Sequence, residues 1–305
     1  MKILVAGGTG MIGGHAALLL QAEGHDVAIA ARKPAAAAPG SPLTKLKFVQ
    51  GDYVAGTYKK SDLVGFDALV FCAGNDVRHI PQGESDATYW HKANAVAIPK
   101  FFELARDAGI KTAINVGSFY PQAAPHLVAK NHYVKSRKDS DDGIRALNSS
   151  SFRTMSINAP FVVGAVPGLT VQMFEFYTRY AEGALGMPGS APAGGVNFIS
   201  TQSLSEAVSG GLKRGEGGKA YLVGDENLTY QDYFGHFFRA VGNTKALPLP
   251  ILDQEHPMLP DSAIFAGRGN TVYYEPDAAE TELLGYRRKD IARAIDEIVA
   301  QYHKT

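Results

Sequence analysis

Three glycines in the first turn of the chain have the spacing of a dinucleotide-binding fingerprint. They are Gly7, Gly10 and Gly13, and they stand between a short apolar run and a stretch with helical spacing. Glycine permits the positive φ of a tight turn, and its missing side chain lets the backbone approach a bound group closely. The helix start at Met11 and Ile12 adds free N–H groups and the positive end of the helix dipole. We therefore predict a cradle for the diphosphate of a dinucleotide, formed by these five residues.

The second predicted strand, residues 27–31, is followed by two cations, Arg32 and Lys33. In the fingerprint, an acidic residue about 20 positions after the glycines holds the adenosine ribose 2′-hydroxyl of NAD. No carboxylate stands there in this chain, and an arginine forms paired, charge-assisted hydrogen bonds with a 2′-phosphate. The sequence thus favours NADP(H) as cofactor, with NAD(H) as the alternative if Arg32 is only a solvated loop charge.

Composition restricts the partners. The chain has 305 residues, 45% of them hydrophobic, with 30 Lys plus Arg against 30 Asp plus Glu. This balance lacks the positive footprint of a nucleic-acid or membrane-surface binder, so we expect a small-molecule substrate, no nucleic acid and no membrane partner. The lone Cys72 forms no internal disulfide, the N-terminus lacks a signal-peptide pattern, and no apolar run reaches the roughly 20 residues of a membrane span. We expect a cytoplasmic protein.

Strand and helix patterns alternate through the first half of the chain. The strand candidates are residues 2–6, 27–31, 48–50, 68–72 and 113–116. Helical spacing follows the first strand at residues 13–23 and returns at 97–108. Strands separated by helices imply parallel crossovers, which predicts an α/β fold with a doubly wound Rossmann sheet. Residues 33–42, with an alanine run and three prolines, are interpreted as a flexible surface spacer.

The pattern becomes less regular after residue 158. Glycine and proline crowd residues 186–195, a short apolar strand follows at 196–199, and residues 290–302 have the spacing of an amphipathic helix. We predict a Rossmann domain over residues 1–158, with a return segment at about 196–224. A smaller mixed α/β substrate lobe takes residues 159–195 and 225–305.

A series of short motifs resembles the extended short-chain dehydrogenase/reductase family, which includes nucleotide-sugar epimerases and dehydratases and dihydroflavonol-type reductases. After the glycine turn the matches are, in chain order, Gly51-Asp52, Ala73-Gly74, Asn94, Val116-Gly117-Ser118, Tyr133-Val134-Lys135-Ser136-Arg137 and Asn158-Ala159-Pro160. The likeness extends over nearly the whole chain, and several ordered matches are more specific than any one. It implies a nicotinamide-dependent enzyme and a homodimer formed through helices that flank the sheet.

The resemblance assigns cofactor contacts to four of these residues. Asp52 would meet the adenine amino group, while Ala73, Gly74 and Asn94 would line the cofactor.

The resemblance also implies that Ser118, Tyr133 and Arg137 are the catalytic residues. A phenol can pass a proton to a carbonyl oxygen while hydride moves at carbon, but its ordinary pKa of about 10 makes it a poor base without a nearby cation. Positions i and i+4 share a helix face, so a cation four residues after Tyr133 is well placed. The family has lysine there; this chain has Arg137, and the neighbouring Lys138 points about 100° away. Ser118 would donate to the developing oxyanion, or else only cap a turn.

Three functions fit these residues. The first is an NADP(H)-dependent oxidoreductase that transfers hydride between nicotinamide and a small carbonyl or alcohol, with Tyr133 as the acid/base. The second is a nucleotide-sugar-type epimerase or dehydratase that uses bound NAD(P). The third is a non-catalytic NADP-binding sensor. No zinc-helix spacing, Cys/His cluster or Gly-x-Ser-x-Gly elbow appears in the sequence, so we expect neither a metal site nor serine hydrolysis.

Overall fold

The computed structural model describes residues 1–75 and 79–304. Its strands are β1 (Lys2–Ala6), β2 (Asp26–Ala31), β3 (Lys47–Gln50), β4 (Ala68–Phe71), β5 (Thr112–Ser118), β6 (Arg153–Ala159), β7 (Phe161–Val163), β8 (Ala191–Pro192), β9 (Gly195–Ser200), β10 (Ala220–Leu222), β11 (Glu226–Thr229), β12 (Ile251–Leu252) and β13 (Thr271–Val272). Its helices are α1 (Met11–Ala22), α2 (Lys60–Leu63), α3 (Asp86–Trp90), α4 (Ala97–Asp107), α5 (Tyr120–Ala123), α6 (His132–Ala146), α7 (Gln172–Ala181), α8 (Thr201–Arg214), α9 (Tyr230–Ala240), α10 (Ala278–Leu284) and α11 (Ile291–Tyr302).

Seven parallel strands form the central sheet, in the order β10-β6-β5-β4-β1-β2-β3. The predicted α/β fold with a doubly wound sheet is confirmed, and the five predicted strands of the first half agree with β1–β5 to within two residues. Helix α11 begins one residue after the predicted start. Apolar runs bounded by turn residues located these elements well because central parallel strands are buried on both faces.

Alternating side chains of β1 explain why helices cover both faces of the sheet. Ile3 and Val5 belong to one apolar cluster, which includes Leu204 and Val208 of α8. Leu4 and Ala6 point to the opposite face, where the cluster includes side chains of α4 and α6. All four β1 side chains are buried, and each large one contributes roughly 1.5–3 kcal/mol by leaving water. The strand period of two thus sets the layered arrangement.

The strand order reverses between β1 and β4, which opens a crevice at the carboxyl ends of these two strands. The turn after β1 and the loop after β4 meet there. The Cys72 N–H donates to the Ala6 carbonyl oxygen over 2.8 Å, and the Gly7 N–H donates to the Ala30 carbonyl oxygen over 2.8 Å. The glycine turn therefore lies directly beside Ala73, the next residue of that loop.

The second half of the chain adds a smaller sheet, in which β9 pairs with β7, β11 and β13. Helices α7, α9 and α11 pack beside it around an aromatic core, whose buried rings include Phe174, Tyr177, Phe234, Phe237 and Phe238. This apolar cluster extends to Tyr133 of the first half. Within the described ranges, no helix has the length and apolarity needed to cross a membrane.

Two segments differ from the sequence-based expectation. The predicted spacer at residues 33–42 is docked: the Ala38 N–H donates to the Gly168 carbonyl over 2.7 Å, and Ser41 Oγ donates to the Pro167 carbonyl over 2.5 Å. Part of the predicted spacer therefore contacts a turn that is remote in the chain, which the sequence did not indicate. The helix that carries Asn94 is a π-helical turn, His91–Val96, between α3 and α4, and π-turns are frequent at functional sites.

Candidate functional site

The glycine turn after β1 has the shape that the fingerprint requires. Gly7 has φ of +79°, and a Cβ there would lie 2.7 Å from the Ala73 nitrogen. A Cβ on Gly13 would lie 2.4 Å from the Gly7 carbonyl oxygen. Both positions accept only glycine because the backbone of the neighbouring loop or turn fills the space.

Gly10 is different, since its surroundings are open. A Cβ at Gly10 would meet only the Gly7 carbonyl oxygen, at 3.5 Å, an ordinary contact. Packing therefore does not require glycine here. Gly10 is also the N-cap of α1, where no side chain caps the helix and no acidic residue lies in the first turn. The N–H groups of Met11, Ile12 and Gly13 have no carbonyl partner four residues back, so this open helix end fits an anionic diphosphate.

The ends of β2 and β3 hold the predicted adenosine contacts. Arg32 follows β2 and is exposed, and its guanidinium has no hydrogen bond or ion pair to any other described residue. Asp52 lies just after β3, where its Oδ1 accepts the N–H groups of Val54 at 2.8 Å and Ala55 at 3.2 Å. The turn after β3 therefore leaves Oδ2 of Asp52 available to accept a hydrogen bond. The Arg32 guanidinium, after β2, is free to bind an anion.

Tyr133 and Arg137 meet on the buried face of α6. The Asn131 side chain caps this helix by accepting the Val134 N–H over 3.1 Å, which places Tyr133 in its first turn. Arg137 Nη1 donates to Tyr133 Oη over 3.0 Å, and Nη2 donates to the Val116 carbonyl oxygen over 3.0 Å. Both side chains are 9% exposed. The arginine thus touches the phenol oxygen directly, and a cation at i+4 is confirmed as its neighbour.

The same guanidinium reaches the loop after β4. A Cβ on Gly74 would lie 3.0 Å from Arg137 Nη1, so Gly74 makes room for the cation. Ala73, one residue earlier, accepts a hydrogen bond from Tyr53 Oη over 2.8 Å through its carbonyl oxygen. The two predicted loop residues and the predicted catalytic pair therefore lie at one place, the crevice between β1 and β4.

The two lysines that flank Arg137 do not share this site. Lys135 Nζ pairs with Asp139 Oδ2 at 2.6 Å, and Lys138 pairs with Asp142. Both ion pairs are of the i,i+4 type and partly exposed. Arg137 is therefore the cation of α6 that meets Tyr133.

Ser118 ends β5, as predicted, and is 7% exposed. Its Oγ accepts the Tyr120 N–H over 3.4 Å, which is the turn-capping contact of the alternative interpretation. The Oγ–H has no acceptor among the described residues and is available to donate. Burial raises the pKa of Tyr120 far above its ordinary value, so this second phenol stays protonated and does not act as a base.

Asn94 lies behind the crevice and is fully buried. Its Oδ1 accepts the Asn75 N–H at 3.4 Å, and its Nδ2 donates to Ser136 Oγ at 3.2 Å. Ser136 Oγ in turn donates to the Tyr133 carbonyl oxygen over 2.8 Å. In this geometry Asn94 ties the loop after β4 to helix α6, and its cofactor contact stays a prediction.

Comparison with known families agrees with this geometry. A model of the NAD dependent epimerase/dehydratase family matches residues 3–150, the segment that holds the glycine turn, Ser118, Tyr133 and Arg137. The match covers just under half of the chain, and over these residues the chain is similar to that family. The resemblance to extended short-chain dehydrogenases/reductases is thereby confirmed. A comparison with curated protein sequences finds no match.

Solved structures of three nucleotide-sugar enzymes share the fold of this chain over its whole length. UDP-glucose 4-epimerase from Bifidobacterium longum, in complex with NAD+ and UDP, is 17% identical with a TM-score of 0.76, covering 100% of this chain and 99% of that one. dTDP-glucose 4,6-dehydratase from Streptomyces venezuelae, with NAD bound, is 20% identical with a TM-score of 0.72, covering 100% and 98%. UDP-N-acetylglucosamine 4-epimerase from Bacillus cereus is 16% identical with a TM-score of 0.71, covering 100% and 97%. At these identities the likeness shows the fold.

An aromatic cluster beside Tyr133 was missed by the sequence reasoning. The Phe265 ring stacks on the Tyr133 ring, with centroids 4.4 Å apart and planes 12° apart. Trp90 meets the Tyr133 ring edgewise at 5.4 Å, and its Nε1 is buried without a hydrogen-bond partner among the described residues. An unsatisfied buried donor costs roughly 1–3 kcal/mol. Trp90 is the one tryptophan of the chain, and this rarity could have marked it as a candidate site residue. Nothing in the sequence marks Phe265, because its segment shows no periodicity.

Proposed function

We propose that the chain is an NADP(H)-dependent oxidoreductase that transfers hydride between nicotinamide and a small carbonyl or alcohol. The observation that carries this proposal is the 3.0 Å hydrogen bond from Arg137 Nη1 to Tyr133 Oη at the mouth of the crevice. A phenol whose oxygen is held by a fixed cation can release its proton to a substrate oxygen, because the cation stabilises the remaining negative charge.

The cofactor class is supported by fit and by fold. The open N-terminus of α1 offers N–H groups to a diphosphate, and structures with the same fold hold NAD. The preference for the phosphorylated form rests on Arg32, whose guanidinium is exposed and uncommitted at the end of β2. Asp52 Oδ2 would accept from the adenine amino group. When bound, the nicotinamide supplies or accepts the hydride.

In the reducing direction, Tyr133 Oη gives its proton to the carbonyl oxygen of the substrate as hydride arrives at the carbonyl carbon. The electron pair of the hydride forms the new C–H bond, the C=O π pair takes the Tyr133 proton and forms the new O–H bond, and the phenolate is reprotonated from solvent. Arg137 holds the phenolate charge during this exchange. Ser118 Oγ–H donates to the same substrate oxygen and stabilises the charge that develops on it.

A second candidate, an epimerase or dehydratase that keeps its nicotinamide cofactor bound, is favoured by the family match over residues 3–150. Such an enzyme oxidises and re-reduces one substrate, so it shows no net consumption of cofactor. It would also need cations for a substrate diphosphate. Two arginines outside the crevice are already engaged within the protein. Arg268 is bonded to Asp261, and Arg214 donates to the Leu283 and Leu284 carbonyl oxygens.

The deciding experiment is a fluorescence titration of the purified protein with NADPH and NADH, followed by NADPH consumption against a panel of aldehydes, ketones and quinones. Tighter binding of NADPH, with turnover on a panel member that Tyr133→Phe abolishes, is the expected result. Tight binding without consumption, together with cofactor that copurifies, would favour the second candidate. Cofactor binding without NADPH consumption and without copurifying cofactor would indicate a non-catalytic sensor protein and contradict the proposal.

A further inference from the structure

Three aromatic side chains surround the ring of Phe265. Tyr133 stacks on one face of it at 4.4 Å, Tyr120 meets it at 5.6 Å with planes 83° apart, and Trp90 meets it at 6.3 Å with planes 84° apart. Tyr133, Tyr120 and Trp90 are each less than 10% exposed, whereas Phe265 is half-buried. We call the space that Phe265 fills between these three rings the aromatic slot. It is shaped for one flat ring.

One of the three rings around the aromatic slot carries a polar atom without a hydrogen-bond partner among the described residues. Trp90 Nε1 is enclosed and makes no hydrogen bond to any described residue. Phe265 offers the indole N–H no oxygen acceptor from its side chain. Buried donors are nearly always bonded, so an unbonded one beside a reactive tyrosine indicates a partner that arrives with a ligand.

Phe265 lies in a loop of the C-terminal half of the chain, and hydrogen bonds within this loop hold it together. Arg268 Nε donates to Asp261 Oδ1 over 2.9 Å, and the Gly267 N–H donates to the Ile264 carbonyl over 2.8 Å. The Gly269 N–H bonds to the Ala193 carbonyl at 3.2 Å, which fixes the end of the segment to the small lobe. Phe265 therefore belongs to a compact loop with its own hydrogen bonds, while the other three rings lie on α3, α5 and α6.

We propose that Phe265 holds the place of a ring of the substrate: a flat, uncharged aromatic ketone or aldehyde displaces it from the aromatic slot, and an oxygen on that ring accepts the Trp90 N–H. This inference rests on the proposed function, since the ring's carbonyl must reach Tyr133 Oη. A ring of similar size keeps the stacking on Tyr133 and gives Trp90 Nε1 the acceptor that it lacks.

Charge argues for an uncharged ligand. The guanidinium of Arg268 is already bonded to the Asp261 carboxylate, and that of Arg137 to Tyr133 Oη and the Val116 carbonyl. Among the described residues, Arg137 is the cation that lies over one of the four rings, with its guanidinium carbon 5.7 Å from the centre of the Tyr133 ring. Of the cations that the structure describes here, these two guanidiniums are therefore not free to bind the diphosphate of a nucleotide sugar.

The single tryptophan of the chain makes the test direct, because all indole emission comes from Trp90. We would titrate the emission of the wild type and of Phe265→Ala with acetophenone and with cyclohexyl methyl ketone, which has the same outline but a saturated ring. N-acetyltryptophanamide, titrated in parallel, corrects for light absorbed by the ketone. Phe176→Ala is the matched control, because Phe176 is 49% exposed and has no part in the aromatic slot.

We expect Phe265→Ala to bind acetophenone at least fivefold more tightly than the wild type, since the internal competitor is gone. The saturated ketone should change less than twofold, and Phe176→Ala should behave as the wild type. Weaker or equal acetophenone binding by Phe265→Ala would show that Phe265 is a fixed wall and overturn the proposal. An equal gain for both ketones would overturn ring recognition. If Phe265→Ala does not fold, Phe265→Leu carries the same expectations.

The Trp90 contact has its own measurement. Among 2-, 3- and 4-methoxyacetophenone, at least one should raise the melting temperature of the Phe265→Ala protein more than acetophenone does at equal concentration. Phe265→Ala combined with Trp90→Phe should lose that advantage, and a retained advantage would overturn the assignment of the N–H. NADPH affinity is measured alongside. If NADPH binds normally while the ketone results fail, only this inference is wrong. If NADPH does not bind, the proposed function is wrong.

Discussion

Arg137 holds the Tyr133 phenol oxygen and the carbonyl oxygen of Val116 with two different nitrogens, each at 3.0 Å. A guanidinium presents its donors as a rigid planar fork, so one arm can be anchored on the end of β5 while the other stays on the phenol. An ammonium group on a flexible stem does not combine these two contacts in the same way. The geometry therefore makes the arginine a precise electrostatic partner for the tyrosine, although the family pattern has lysine there.

Replacing Arg137 tests this partnership. Arg137→Gln removes the positive charge, and we expect kcat to fall by about 100-fold or more, in line with the usual size of acid–base contributions. Arg137→Lys keeps the charge but loses the fork, and we expect a loss of about tenfold, with little change in NADPH affinity. Steady-state kinetics on a substrate from the panel measures both.

The control for these variants is Lys138→Gln, which removes a neighbouring cation paired with Asp142 on the outer side of α6. Its kcat should stay within about twofold of the wild type, because exposed ion pairs contribute little. Full activity of Arg137→Gln would show that the guanidinium is only a structural brace of the β5 end.

The charge of Arg32 is expected to select the cofactor. Arg32→Ala should weaken NADPH binding by about 10- to 100-fold, the equivalent of one charge-assisted hydrogen bond of roughly 1.5–3 kcal/mol, and leave NADH binding nearly unchanged. Titrations with both cofactors measure the ratio. Lys100→Ala, which removes an exposed cation from α4, should alter neither affinity. If the ratio of the two affinities does not move in Arg32→Ala, the 2′-phosphate contact is refuted.

The sequence predicted those parts of the fold and site that depend on neighbours in the chain. The glycine spacing located the turn, because Gly13 is required by its contact with the Gly7 carbonyl oxygen inside the same short segment. The contact that requires Gly7 comes from Ala73 in the loop after β4, and the spacing alone did not show it. The spacing of Tyr133 and Arg137 sufficed because four residues make one helical turn.

The aromatic slot was beyond sequence reasoning for the opposite reason. Trp90 and Phe265 approach Tyr133 from distant segments, and no periodicity relates their positions. Likewise, the docking of residues 33–42 depends on a turn at Gly168 that only the folded chain brings near. Contacts between segments without regular structure leave no spacing rule to detect.

Gly10 and Gly13 separate a binding role from a packing role. Gly10→Ala should fold normally, because its Cβ meets only the Gly7 oxygen at 3.5 Å, but should weaken NADPH binding at least tenfold, since a methyl group would stand on the open cradle. Gly13→Ala should lower the free energy of unfolding by about 1–3 kcal/mol, because its Cβ would lie 2.4 Å from the same oxygen. Urea denaturation and NADPH titration measure the two effects, and equal NADPH affinity in Gly10→Ala and the wild type would contradict a diphosphate site here.

His15 is expected to make the fold acid-sensitive. Its Nδ1 lies 2.8 Å from Ser205 Oγ, between α1 and α8. Burial, and then the Arg293 charge, lower the pKa of His15 from 6.5 to about 4, although Glu206 and Asp290 act in the opposite direction. Because the folded state has the lower pKa, the unfolded chain binds the proton more readily. This contribution to stability is present above about pH 6.5 and is lost as the pH falls towards 4.

The loss from His15 alone amounts to about 2 kcal/mol at pH 5 if the unfolded pKa is the ordinary one. We expect His15→Gln, which keeps an amide able to bond Ser205 but cannot take up a proton, to lose that much less unfolding free energy than the wild type between pH 8 and pH 5. Urea denaturation at both pH values measures the difference. His126→Gln removes an exposed histidine and should follow the wild-type curve. If His15→Gln and the wild type lose the same unfolding free energy over this range, another group is responsible for the acid sensitivity.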